Sequence, residues 1–308
     1  MEAQSPGFGS QMSEKARNSP ALALLFLLWA FFTGTLLGNL LLVGLAQASG
    51  WGMEVLQVID PEGLDRGQRD FLRIGTLLVH LCSFTLPAIA FAYWLNGRRW
   101  KEDLALTRVP EWKAVLAGIG FITLSFPLSQ YLYWWNLQIP LPEQLLEMER
   151  SAEGMVRAII QMDDVGELLL SLLTVGLVAA LGEELIFRGL LQPRLCKLFG
   201  NEVLGIWVGA IVFSAIHLQF AGFLPRMILG VALGYLFHWT RNLWVPVMAH
   251  FFFNGAQIVV QYFFKAQMDQ LDPETMQRPH WALAVLPLAG MALIAQFFKT
   301  RTHSNHGI

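Results

Sequence analysis

Three sets of polar side chains interrupt the apolar carboxy-terminal half of this chain: Glu183 and Glu184 with Arg188, then His217, then His250 with Asn254. Glu184 and Arg188 are spaced i, i+4, as are Phe213 and His217, and His250 and Asn254, so the two members of each pair share a helix face. Glu183 lies about 100° around the helix from Glu184, which lets Arg188 pair with Glu184 and leaves Glu183 free. A buried Glu, two His and an Asn contain the parts needed for amide hydrolysis. A carboxylate and an imidazole can activate water, while an Asn amide and a second imidazole N–H can hold the developing oxyanion. Glu and His are also usual zinc ligands, although the His-Glu-x-x-His arrangement common in zinc hydrolases is absent. The later spans hold neither a pair of Asp residues nor a Ser in a Gly-x-Ser-x-Gly setting.

Each residue taken singly has a plainer reading. Glu184 and Arg188 read first as a structural ion pair that holds helices together, His217 and His250 as packing histidines, and Asn254 as an interhelical hydrogen-bonding residue. Their occurrence together, within 183–254, favours a site. His80, in an earlier apolar segment, reads as a hydrogen-bonded core histidine. The cost of the charges points the same way. Glu183, Glu184 and Arg188 unpaired at the centre of a membrane helix would cost about 8 to 10 kcal/mol together, and intramembrane ionisable residues mark function by default.

The elements that must carry these residues follow from composition. With 308 residues, 55% hydrophobic, 14% charged, 22 Phe and 11 Trp, the chain is too apolar for one water-soluble domain. Runs of spanning length cover 21–46, 71–95, 112–135, 168–195, 203–220, 223–239, 243–264 and 281–298. The expectation is an all-α polytopic membrane bundle of about eight transmembrane helices, a single domain over 21–299 behind a disordered tail at 1–20. The first run is of full spanning length with no clear small-residue cleavage site, so it reads as a retained helix and not a signal peptide. Gly200 is equidistant in sequence from Glu183 and His217. A hairpin turning there sets both at one level, roughly 25 Å from the turn.

Most of the 21 Lys and Arg, among them Lys15, Arg17, Arg98, Arg99, Lys101, Arg194, Lys197, Arg241 and Lys299, fall on the side of the amino terminus. The positive-inside rule therefore puts both termini in the cytoplasm. The opposite loops are acidic, with Glu54, Asp60, Glu62 and Asp65, then Glu143, Glu147, Glu149, Glu153, Asp163 and Asp164. The segment 140–164 is too charged to span but periodic enough for an amphipathic interfacial helix. It reads equally as a cover over the bundle entrance or as a surface linker. Cys82 and Cys196 indicate no disulfide framework, and no basic stripe with interleaved aromatics suggests nucleic acid.

The strings Glu183-Glu184-Leu-Ile-Phe-Arg188-Gly189, Phe213-Ser-Ala-Ile-His217 and His250-Phe-Phe-Phe-Asn254 resemble, in order, the three motifs of the CAAX protease and bacteriocin-processing (CPBP, or Abi) family. That family includes CAAX prenyl protease 2 and many bacterial proteins. The resemblance covers about 165–265, the expected catalytic core. It implies an intramembrane glutamic endopeptidase acting on a membrane-associated peptide or protein, expected in a bacterial inner membrane. By analogy Glu183 and His217 would activate water, His250 and Asn254 would stabilise the oxyanion, and Glu184 with Arg188 would be the supporting ion pair. The glutamic mechanism requires no cofactor; were zinc bound, Glu183, His217 and His250 would be the candidate ligands. The alternatives are a non-enzymatic immunity factor or scaffold that retains the motifs, and a proton-coupled transporter using Glu183 and His217 as a relay. The intact residue set argues against the scaffold.

Overall fold

The computed structural model describes residues 8–57, 63–268 and 277–305. Expectations for residues 1–7, Asp60 and Glu62 lie outside the described residues. Those described form helices joined by short turns: α1 Phe8–Asn18, α2 Pro20–Ala48, α3 Arg66–Asp103, α4 Trp112–Leu137, α5 Glu143–Ile160, α6 Val165–Phe199, α7 Glu202–Ala215, α8 Phe223–Thr240, α9 Trp244–Phe263 and α10 Trp281–Asn305. The fold is all-α, and no strand occurs among the described residues. Where the sequence reads as a tail over 1–20, residues 8–18 instead form α1, with Ala16 buried and Arg17 Nη1 donating to the Leu95 carbonyl at 2.6 Å.

Local sequence sets the helix ends. Ser19 caps α2, with Pro20 at its first position, where the missing N–H costs nothing. Asp65 and Gln68 form a reciprocal capping box at the start of α3. Gly200 closes α6 in the left-handed region at φ 60°, and Asn201 then accepts from the Leu204 N–H to open α7. The hairpin anticipated at Gly200 is therefore built from a glycine stop and an asparagine start.

Five helices, α2, α3, α4, α6 and α10, are long and apolar enough to cross a membrane, and the protein is an integral membrane protein. The shorter α7 ends before the expected limit at 220. His217 Nδ1 bonds the Phe213 carbonyl at 2.8 Å, the i−4 acceptor a continuing helix would need, and the His217 N–H reaches back to Ser214 instead. Leu218 then adopts φ 52°, in the left-handed region, and the chain turns over 216–222.

The two ends of the bundle differ in charge. At one, the loop 104–111 meets the turn into α9: Asn242 donates to the Arg108 carbonyl and Trp244 Nε1 to that of Leu106. The basic residues of α1, the α3 end and the α6 end collect at this side. At the other lies a buried ion cluster that the sequence alone did not reveal. Arg73, with no exposed side-chain surface, bonds Glu167 and Asp70, each at 2.8 Å, the Ser171 hydroxyl at 3.0 Å and the carbonyls of Ile159 and Gln161. Arg69 bonds the same Glu167 at 2.9 Å and Asp163 at 2.7 Å. These bonds fasten α3, the end of α5 and the start of α6 to one another. Removing one partner of a buried network leaves the rest uncompensated. Arg73→Ala is expected to lower stability by about 3–5 kcal/mol in detergent-solubilised unfolding, whereas loss of the exposed Arg66–Asp164 pair in Arg66→Ala should cost less than about 1 kcal/mol.

Candidate active site

Helix α6 is not uniform. It winds as α over Val165–Ser171, widens to π over Leu172–Val178, returns to α over Ala179–Glu184 and widens again over Leu185–Leu191. A third π segment, Leu81–Thr85, succeeds His80 in α3. Wide turns of this kind rotate the residues beyond them and concentrate at functional sites. Here the two in α6 bracket the short α-helical stretch that ends in Glu183 and Glu184.

The three sets named from the sequence meet around these carboxylates. Glu184 Oε1 accepts from Arg188 Nη1 at 2.7 Å and from His250 Nδ1 at 2.8 Å. Arg188 also donates to the Gly230 carbonyl of α8 at 2.9 Å and lies over the Phe213 ring, 4.8 Å from its centroid. Glu184 and Arg188 are almost wholly buried, and every contact of the guanidinium satisfies part of its desolvation cost. The ion pair thus reaches three further helices: α9 through His250, α8 through Gly230 and α7 through Phe213.

Glu183 faces the other way, into a ring of imidazoles. Its Oε1 lies 3.4 Å from His80 Nε2 and 4.0 Å from His217 Nε2, and its Oε2 lies 3.8 Å from His250 Nε2. Glu183 is buried, with 7% of the residue exposed. His80 is the residue that sequence reasoning missed, since it reads there as a core histidine. It comes close because Gly182 has no side chain: a Cβ there would sit 2.8 Å from His80 Cε1, 2.8 Å from Thr85 Oγ1 and 3.0 Å from Phe84 Cβ. Gly182, directly before the Glu pair, was the available signal.

Residues 165–256 match the family model described as type II CAAX prenyl endopeptidase Rce1-like. This segment is an Rce1-like domain. The family that this model describes is one of membrane proteases, and the matched segment contains all six residues named above from Glu183 to Asn254. A curated Bacillus subtilis (strain 168) protein, named uncharacterized protein YpbD, is 28% identical over 106 residues, or 33% of this chain and 51% of that protein. The chain thus spans about half the length of the curated relative it matches. No solved structure matches.

Within the Rce1-like domain Asn254 stands apart from the histidines. Its Nδ2 donates to the Val175 carbonyl at 3.1 Å, an acceptor in the first π segment of α6, where widening disturbs the ordinary pairing of carbonyls. One of its two amide hydrogens remains for another acceptor. Among the described residues, no group of three or more His, Cys, Asp or Glu converges closely enough to hold a metal ion.

The amphipathic α5 lies against the loop that carries His217. Glu149 accepts from the backbone N–H groups of Phe220 and Ala221, while Asn136 of α4 donates to the Phe220 carbonyl and accepts from the Leu224 N–H. Backbone groups in 216–222 left without helical partners are satisfied in this way. For the ion pair, Arg188→Met should destabilise the protein by about 3–5 kcal/mol through an uncompensated Glu184; thermal unfolding against wild type in the same detergent checks it.

Proposed function

We propose that the protein is an intramembrane glutamic endopeptidase that hydrolyses a peptide bond of a membrane-associated substrate, with Glu183 as general base. The observation that carries this reading is the buried Glu183 carboxylate with His217 and His250 presenting Nε2 to it from two other parts of the bundle. The Rce1-like match over 165–256 supports the same class of activity.

The hydrogen bonds suggest how the parts divide the work. A carbonyl only accepts, so His217 Nδ1 carries its hydrogen toward Phe213 and leaves Nε2 bare in the neutral ring. Glu183 Oε1 and His217 Nε2, 4.0 Å apart, are too far for a direct hydrogen bond and close enough to share one water. Both are acceptors, so that water gives one hydrogen to each and turns a lone pair outward toward a scissile carbonyl. Glu183 takes the proton as the oxygen attacks and returns it to the departing amine.

The tetrahedral oxyanion needs donors. His250, held through Nδ1 by Glu184, supplies Nε2–H in its imidazolium form, with the Glu183 and Glu184 carboxylates nearby as compensating charge. The free amide hydrogen of Asn254, one turn on, is the second donor. Arg188 keeps Glu184 in place and acts on the reaction only through it. The basic residues gathered at one end of the bundle support a cytoplasmic location for both termini in a bacterial inner membrane.

Glu183→Gln, a near-isosteric change, should reduce processing at least about 100-fold while leaving the protein folded. Quantitative proteomics of membranes carrying wild type or Glu183→Gln should show a precursor accumulating in the variant, which identifies the substrate. Unchanged processing in the variant sinks the assignment. Chelation is expected to leave turnover intact; chelator-sensitive activity together with stoichiometric zinc in the purified protein would replace this mechanism with a metal-dependent one.

A further inference from the structure

We propose that His80 is a positioning residue of the site, donating Nε2–H to Glu183 Oε1 and fixing the carboxylate rotamer that presents Oε1 to His217. This rests on the reading of Glu183 as the base.

The three imidazoles around Glu183 are not equivalent. His217 commits its Nδ1 hydrogen to the Phe213 carbonyl and His250 commits its own to Glu184. Neutral His217 turns a bare Nε2 toward Glu183 and cannot donate to it, and His250 Nε2, the oxyanion donor of the proposed mechanism, lies 3.8 Å from Glu183 Oε2, beyond a direct hydrogen bond. His80 differs, because its Nδ1 is buried with no hydrogen-bond partner among the described residues while its Nε2 lies 3.4 Å from Glu183 Oε1. A hydrogen on Nε2 is the one that finds an acceptor, so His80 donates through Nε2 to the buried carboxylate. The other charged groups near this point are Glu184 and Arg188 on α6, already paired with each other.

The surroundings hold the ring in this orientation. It stacks on Phe84 with centroids 4.3 Å apart and planes 16° from parallel. The notch at Gly182 admits the ring edge, and the π segment of α3 begins at the next residue. On the opposite side of that segment Gly34 of α2 makes a similar close approach, where a Cβ would fall on the Cys82 carbonyl. The position of His80 is thus fixed by backbone on both flanks of α3. A carboxylate free to rotate about its last bond would spend part of its time with neither oxygen toward His217. A fixed donor on one oxygen removes that freedom.

The test uses the full chain reconstituted in lipid and the precursor that accumulates with Glu183→Gln. His80→Phe keeps the stacking and removes the donor; it is expected to lower kcat about 10 to 100-fold with KM unchanged. His80→Gln, whose amide N–H reaches the place of Nε2, should recover most of that loss, and His80→Asn, which is too short, should not. Wild-type kcat in His80→Phe, or Gln no better than Asn, overturns the inference. Should His80→Phe fail to fold, the Gln and Asn pair decides.

A substrate-free measurement separates this from the parent reading. Infrared difference spectra against Glu183→Gln isolate the Glu183 carboxylate stretch, which is expected to shift in His80→Asn and to hold its wild-type position in His80→Gln. An unshifted band in His80→Asn overturns the contact proposed here, whereas processing retained in Glu183→Gln overturns the proposed function, so the two failures are distinguishable.

Discussion

A carboxylate can be kept inside an apolar helix bundle only where polar partners converge on it, and Glu183 and Glu184 make that demand at adjacent positions on one helix. Adjacent residues point about 100° apart, so one set of partners cannot serve both. The bundle answers with two separate environments. Glu184 takes a cation from its own helix and the hydrogen-bearing nitrogen of His250, both at Oε1, in a fully buried setting. Glu183 takes imidazoles from α3, α9 and the turn after α7 at distances of 3.4 to 4.0 Å. One carboxylate ties helices together through a cation and a short hydrogen bond, and the other is surrounded by imidazoles at longer distances. His250 lies against both, which ties the geometry around one carboxylate to that around the other.

Much of this was legible in the sequence, for reasons that particular residues make clear. The pairing of Glu184 with Arg188 follows from i, i+4 spacing alone. The level of His217 against Glu183 follows from counting to Gly200, because a glycine stop followed by an asparagine cap leaves the hairpin little freedom. The amphipathic character of 140–164 was also visible, although the docking of its helix on the His217 loop through Glu149 was not. That bond depends on α7 ending early, which a hydropathy pattern does not register.

Other features could not be placed from the sequence. His80 stands 103 residues before Glu183 and is joined to it by no short loop, so nothing local sets the face of α3 that meets α6. Arg73 and Glu167 sat at the margins of two expected spans, where charged side chains ordinarily reach water; burial of both follows only once α5 closes over them. The expected polar tail becomes α1 because the basic end of the bundle offers it a surface, including the carbonyl at the end of the regular part of α3. Tertiary partners decided each of these cases, and composition could not name the partners.

The wide turns in α6 give that helix something like a reading frame. Ordinary helical substitutions alter one side chain and leave its neighbours facing as before. Within Leu172–Val178 or Leu185–Leu191, loss of a single residue would let the turn tighten and rotate everything on one side by about 100°. Glu183 would then exchange faces with a neighbour, even though every residue with chemistry remained present and in order. Which carboxylate meets which histidines is therefore set by a residue count in two largely apolar segments, and two chains with identical polar residues but a different count there would place different groups at the centre of the bundle.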